Sequence, residues 1–230
     1  VRGIHSHIGS QITNVDAFVS AASMLSKLVG ELRRGGLPVH DLDFGGGFGV
    51  QYRGFVQHEI LPHEESHEAE TNVGNFIRRV LPILKETGCN IAIQPGRSVV
   101  ANAGVLLTKV LYRKEENGKL FIIVDGGMND LIRPSLYQAY HQIVPLRLNH
   151  LPFETVDVVG PCCETGDFFA LNRKLSHVER GDYLALMCAG AYGYVLSSNY
   201  NARLRPAEIL VDGQSFQLIR ERERVEDFVS

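Results

Sequence analysis

Asp41-Leu-Asp-Phe-Gly-Gly-Gly-Phe-Gly49 decides how the rest of the chain is read. A short apolar run enters three consecutive glycines. Glycine has no Cβ and tolerates positive φ, so such a turn can aim several backbone N–H groups at one anion. A phosphate suits it. The dinucleotide fingerprint fails, because Val50 or Tyr52 stands where its third glycine belongs, and no G-K-[ST] follows. The stretch therefore reads as a phosphate cradle for something other than a dinucleotide or ATP, closing a strand over about 40–44.

Working outward, the flanks give the β/α rhythm. Gly3-Ile-His-Ser-His-Ile8 reads as a strand. Asn14 or Asp16 caps a helix over 15–34, whose apolar positions Phe18, Ala21, Ala22, Leu25, Leu28, Val29 and Leu32 follow helical spacing. A second helix spans about 73–87, and Pro82 should bend or divide it. Asn90-Ile-Ala-Ile-Gln94 forms a third strand before Pro95-Gly96. Three strands are too few to close a barrel, so they belong to a (β/α)8 barrel's last part or to an open sheet. Either architecture binds ligands at strand C-termini, which groups His7, Ser10, Gly45–Gly47 and Gln94–Arg97 on one rim. His5 and His7 would share a strand face. Beyond Arg97 the pattern turns β-rich, with short runs at about 105–112, 120–124, 156–159, 183–187, 208–212 and 215–219, and a charged, helical tail. The fold class is α/β plus all-β, with residues 1–98 as a partial barrel and 99–230 as a β domain.

Composition bounds the function. The 230 residues are 44% hydrophobic and 21% charged, with net charge -3, ordinary values for a globular protein. Nothing points to nucleic acid or a membrane as partner. The four cysteines, Cys89, Cys162, Cys163 and Cys188, form no C-x-x-C and read as free thiols of a reducing, cytoplasmic setting. The start, Val1-Arg-Gly-Ile-His5, reads like the inside of a strand, so further sequence is expected before it.

Several motifs could carry chemistry. His63-Glu-Glu-Ser-His67 matches the zinc-peptidase H-E-x-x-H literally, but its acidic, polar setting offers no apolar face to bury, and a solvated loop is the better reading. No metal site is expected. Pro95-Gly-Arg97 places a guanidinium at a strand end, suited to carboxylate or phosphate. Arg133 and Tyr137 are four apart and could form a second carboxylate grip; the bland alternative is a loop stitched by Arg133 and Asp130. Gly160-Pro-Cys-Cys-Glu-Thr-Gly-Asp167 sets thiols and carboxylates in a turn, where a cysteine beside a glutamate can donate a proton. Ala189-Gly-Ala-Tyr-Gly193 presents Tyr192 on a glycine turn.

Leaving His63–His67 aside, six motifs, Gly3–Gln11, Asp43–Gly49, Pro95–Ser98, Asp125–Tyr137 with Arg-Pro-Ser-Leu-Tyr, Gly160–Asp167 and Ala189–Gly193, in this order resemble the diaminopimelate decarboxylases, members of the alanine-racemase-like (fold type III) class of pyridoxal-phosphate enzymes. The likeness covers essentially the whole chain. It implies a barrel that binds pyridoxal 5'-phosphate and a Greek-key-like β domain. His7 would stack on the cofactor ring. Ser10, Gly45, Gly46, Gly47, Gln94, Gly96, Arg97 and Tyr192 would hold the cofactor and its phosphate. Arg97, Arg133, Tyr137 and Tyr192 would grip the substrate carboxylate, Glu164 would read the distal amino end, and Cys163 would return the proton. Cys163 and Glu164 would serve the neighbouring subunit of a homodimer. The implied reaction converts meso-2,6-diaminopimelate to L-lysine and CO2.

Two departures stand out. None of Lys27, Lys85, Lys109, Lys114, Lys119 or Lys174 lies in a motif matching the family's cofactor-anchoring lysine, so the chain alone is expected to be inactive. The family's Glu-Pro-Gly-Arg is Gln94-Pro-Gly-Arg97 here, which removes the counter-charge at the ring nitrogen. A non-catalytic homologue, or a decarboxylase of another basic amino acid, is the alternative.

Overall fold

The computed structural model describes residues 2–59, 61–63, 72–148 and 151–229. The chain separates into two compact units, Val1–Gly54 with Glu65–Ala103, and Phe55–Glu64 with Gly104–Ser230.

The first unit is β/α. Strands β1 (Gly3–His5), β2 (Asp41–Asp43) and β3 (Asn90–Ala92) run parallel in the order β1-β2-β3, with Ile4, Leu42 and Ile91 in register. Helices α1 (Val15–Arg34) and α2 (Val73–Lys85) follow the first two strands. Asn14 caps α1 by accepting the Asp16 N–H at 2.8 Å, and Asn72 does the same for α2 with Gly74. Their apolar stripes close on Leu42 and on an aromatic knot. Phe18 stacks on Phe48 with centroids 4.9 Å apart and meets the edge of Phe76 at 5.1 Å. Phe44 and Phe48, both buried, bracket the three glycines, so the turn is pinned to the core at both ends.

Two expectations change here. Pro82 does not divide α2, which runs unbroken to Lys85. Proline lacks the N–H that would bond the carbonyl of Arg78, but both residues face solvent, where water can satisfy that carbonyl. The first strand stops at His5, so His7 is not in a strand and does not share a face with His5. His5 instead pairs with Asp43 at 3.2 Å.

The second unit is a six-stranded sheet in the order β6-β9-β4-β5-β7-β8, built from β4 (Leu106–Glu116), β5 (Lys119–Val124), β6 (Ile143–Pro145), β7 (Phe153–Val159), β8 (Phe168–Ser176) and β9 (Tyr183–Leu186). All pairings are antiparallel except β5 with β7. The edge strands β6 and β8 approach one another, and Arg173 of β8 donates to the His141 carbonyl just before β6, so the sheet is nearly closed. Its inward side chains, among them Val110, Ile122, Val158, Phe169 and Leu184, form the core together with Leu131 of the loop after β5. A ribbon of β10 (Glu208–Asp212) and β11 (Ser215–Arg220) pairs separately. Short helices α3 (Gly96–Val100), α4 (Arg133–Tyr137) and α5 (Val225–Val229) complete the elements, α3 in the first unit and the others in the second. No helix among the described residues is long and apolar enough to cross a membrane.

Candidate functional site

In the first unit the polar groups gather where the three strands end. The glycines of the turn are required by sterics. A Cβ on Gly45 would lie 2.1 Å from the Ser6 carbonyl oxygen, one on Gly46 2.1 Å from that of Gln94, and one on Gly47 2.0 Å from that of Gly9. Gly45 and Gly47 also have φ of 74° and 90°. The turn thus passes close to the segments leaving β1 and β3. Two of its amides are engaged internally: Gly45 N–H donates to Asp43 Oδ1 at 2.9 Å, and Gly46 N–H to His7 Nδ1 at 3.2 Å. His7 therefore uses Nδ1 as an acceptor, with its ring exposed beside the turn. Arg97, on the first turn of α3, donates to Tyr52 Oη at 2.7 Å and Ser10 Oγ at 3.0 Å. A guanidinium and two hydroxyls next to a glycine turn make a donor set suited to a phosphate or carboxylate. The set fits the phosphate of pyridoxal 5'-phosphate.

In the second unit the reactive-looking turn after β7 rests on a buried polar network. Asp167, 5% exposed, accepts Met128 N–H at 2.6 Å and Cys162 N–H at 2.5 Å, tying the cysteine turn to the loop after β5. Asp130 accepts the Gly127 N–H at 2.9 Å and the amide of fully buried Asn129. Burial pushes the Asp130 carboxyl above its ordinary range, against the hydrogen bond from Gly127. Arg203 braces Asn129 Oδ1 and the Asp125 carbonyl. Burial, with the nearby Asp167 charge, also pushes the Cys162 thiol up, whereas its neighbour Cys163 is exposed. Glu164 accepts a hydrogen bond from Tyr200 Oη at 3.0 Å. That acceptance, together with the carboxylate's charge, holds the Tyr200 phenol above its ordinary pKa.

Arg133 and Tyr137 lie on α4 as their spacing implies, but differently. Arg133 is buried and donates to His141 Nε2 at 2.8 Å, while Tyr137 is exposed. His141 Nδ1 faces the Met187 carbonyl at 2.8 Å, and a carbonyl only accepts. The proton therefore sits on Nδ1, and Nε2 receives the arginine. The bland alternative for Arg133 thus takes another form: its hydrogen bond goes to His141, while Asp130 bonds Gly127 and Asn129. Tyr192 sits in the left-handed region at φ 63°, a conformation that costs energy for a non-glycine residue.

A family model described as the pyridoxal-dependent decarboxylase C-terminal sheet domain matches residues 15–190. The chain belongs to the pyridoxal-dependent decarboxylases. It is 43% identical to the diaminopimelate decarboxylase of Aquifex aeolicus over 227 residues, covering 99% of this chain and 51% of that protein. It is 45% identical to that of Pseudomonas aeruginosa over 227 residues, covering 99% of this chain and 51% of that one. The crystal structure of the Helicobacter pylori diaminopimelate decarboxylase complexed with L-lysine matches with a TM-score of 0.84 and 36% identity, covering 98% of this chain and 53% of that chain. The chain thus spans about half the length of the curated relatives it matches.

In this decarboxylase chain, the first unit brings together His7, Ser10, Gly45–Gly47, Gln94 and Arg97 at one set of strand ends. The second unit places Cys163, Glu164 and Tyr192 in turns and Arg133 and Tyr137 on α4. Sequence reasoning missed Tyr52, Asp43, Asp167 and Tyr200. Tyr52 stands in a polar stretch without periodicity. Asp43 looked like an ordinary strand residue. Asp167 closed a motif whose cysteines drew attention, and Tyr200 lies in a turn with no chemical signature. Of the H-E-x-x-H stretch, Glu64 and His67 lie outside the described residues, and among the described residues no group of three or more His, Cys, Asp or Glu could hold a metal.

Proposed function

We propose that this chain forms part of a pyridoxal-phosphate-dependent decarboxylase that converts meso-2,6-diaminopimelate to L-lysine and CO2. The observation that carries the reading is the donor set of Arg97, Ser10 and Tyr52 beside a glycine turn in a member of this family. Relatives at 43% and 45% identity named diaminopimelate decarboxylase narrow the substrate class.

Residues 1–98 correspond, on this reading, to the last part of a (β/α)8 barrel, and 99–230 to the C-terminal β domain. The cofactor, when bound, supplies the electron sink for the decarboxylated carbon. The chain's own residues do the rest. In the first unit Ser10, Arg97 and Gly47 hold phosphate, on a turn shaped by Gly45 and Gly46. His7 lies against the ring and Gln94 meets its nitrogen. In the second unit Arg133, with Tyr137, takes the α-carboxylate. Glu164 binds the distal ammonium and Cys163 returns a proton from its thiol, both toward the site of a second copy in a homodimer. Tyr200 orients Glu164 by holding one of its oxygens.

The test is lysine formation from meso-diaminopimelate by the longest natural reading frame containing this chain, with pyridoxal phosphate added. Lysine appears, and Cys163→Ala lowers kcat by about 10²-fold or more, in the range of a lost proton donor. The 230-residue chain assayed alone gives none. Turnover of ornithine or arginine in preference to diaminopimelate would overturn the substrate assignment.

A further inference from the structure

The end of β2 explains how a glutamine can serve where this family's resemblance implies a glutamate. Asp43 and Ala92 are partners in the β2–β3 register, and Gln94 follows two residues on. Its backbone N–H donates to the Gly45 carbonyl at 2.8 Å, which fixes the residue against the glycine turn. Its side-chain Nε2 donates to Asp43 Oδ2 at 2.6 Å. The second Asp43 oxygen is taken by the Gly45 N–H, and His5 Nδ1 approaches Oδ2 at 3.2 Å.

The orientation of that amide follows from chemistry. An ionised carboxylate only accepts hydrogen bonds, so the NH2 of Gln94 must face Asp43 and its carbonyl oxygen must face away. Flipping the amide would set oxygen against oxygen beside a full negative charge. Asp43 stays ionised: the Gly45 amide first, then Gln94 and His5, hold its carboxyl below the ordinary range against partial burial. The other titratable groups nearby are His5 on β1, His7 just beyond it, whose Nδ1 accepts the Gly46 N–H, and Asp41 on β2, paired with Arg2 and Asn90; β3 brings the neutral Asn90, and the neutral Gln94 follows it.

We propose that Asp43 is a positioning residue that makes Gln94 a one-way hydrogen-bond acceptor and, through the polarised amide, lends negative charge to a protonated heterocyclic nitrogen bound there. The inference rests on the cofactor reading above, in which that nitrogen belongs to the pyridine ring of pyridoxal phosphate. A free glutamine amide could present either end, and its NH2 end would favour a neutral ring. Asp43 removes that choice.

The substitution Asp43→Asn reverses the logic with little change in shape. The asparagine carbonyl keeps the Gly45 N–H, which turns its NH2 toward Gln94. Gln94 then offers its oxygen inward and its NH2 outward, so acceptor becomes donor. The readout is the 15N shift of ring-labelled pyridoxal phosphate bound to the protein, followed against pH at matched occupancy in the longest natural reading frame. Asp43→Asn lowers the proton affinity of the ring nitrogen by about tenfold or more. In the Gln94→Glu background, where position 94 carries its own charge, adding Asp43→Asn changes that affinity by less, the coupling expected of residues acting through one another. An Asp43→Asn protein that binds the cofactor with unchanged ring protonation overturns the inference, as does an equal shift in both backgrounds, which is what a merely local structural role would give. Failure of the unsubstituted protein to bind pyridoxal phosphate overturns the cofactor reading itself.

Discussion

The two units build their candidate sites by opposite means. In the first, strands of three residues each end in a turn whose shape is set by backbone approach: Gly45, Gly46 and Gly47 lie where any Cβ would strike a carbonyl. In the second, the turn holding Cys163 and Glu164 is set by buried side chains, with Asp167, Asn129 and Asp130 stitching two loops together. The first site is held by sterics and the second by hydrogen bonds. That difference fixes what kind of change each tolerates.

The largest effect belongs to the glycine turn. Gly46→Ala would place a methyl carbon 2.1 Å from a backbone oxygen, with no flexible side chain to yield. Overpacking of rigid backbone should cost about 3 kcal/mol or more, read as loss of soluble protein or a lowered urea midpoint. Phe18→Ala follows, removing the fully buried ring that contacts Phe44, Phe48 and Phe76, for about 3–5 kcal/mol where the knot cannot collapse and less where it can. Asp167→Asn probes the other unit. It keeps one acceptor and removes the charge serving Met128 and Cys162, so about 1.5–3 kcal/mol is expected. A loss equal to that of Gly46→Ala would erase the contrast between the two units.

The smallest effect is a pH response within the sheet unit. Glu154 is held below its ordinary pKa of 4.5 first by the hydrogen bonds of Arg113, at 2.9 and 3.0 Å, and then by His177. A carboxylate whose folded pKa is depressed contributes stability above its unfolded value, and that contribution is lost as pH falls through the folded value. Glu154→Gln should therefore lower stability by about 1 kcal/mol at pH 7 and flatten the acid limb of the stability profile below pH 4.5. Asp130 acts with the reverse sign. Its raised pKa favours the protonated folded state, so its contribution is greatest at low pH and fades as pH rises past its folded value. Asp130→Asn should shallow the decline on that side, measured by denaturant midpoints across the same pH series.

How much of this was legible in the sequence depended on whether a local rule ran unopposed. Helix α1 was legible to both ends, because Asn14, seven apolar positions at helical spacing and Gly35 all agree. The strand ends were overread: Ile8 and Gln94 are apolar or strand-compatible, yet the chain leaves the ladder at His5 and Ala92. Strand β8 was missed because its alternation is reset midway. Asn172 takes φ 49°, its N–H bonds Asp157, and the pairing with β7 slips there, so the apolar residues on either side do not share one period. At the site, residue types with known chemistry were legible, including Arg97, Cys163 and Glu164. Their supports were not, since Asp43, Asp167 and Tyr200 each act in part through a partner 51, 39 or 36 residues away.

The ribbon of β10 and β11 has a further consequence. Its strand residues are mostly exposed, including Val211 and Phe216, so it gains little from burial. Its root is clasped twice: Arg220 pairs with Glu208 across the ends of the two strands, and Glu223 accepts from Arg205 through both backbone and side chain and from Asn199, beside Tyr200. The ribbon therefore behaves as a flap fastened at its root. Its amides should exchange with solvent deuterium by local opening, well before those of β5 and β7. A protease cutting at the tip, Gly213-Gln214, should leave the root clasped, so that the nicked protein still migrates as one species, and replacing both Glu208 and Glu223 should loosen it.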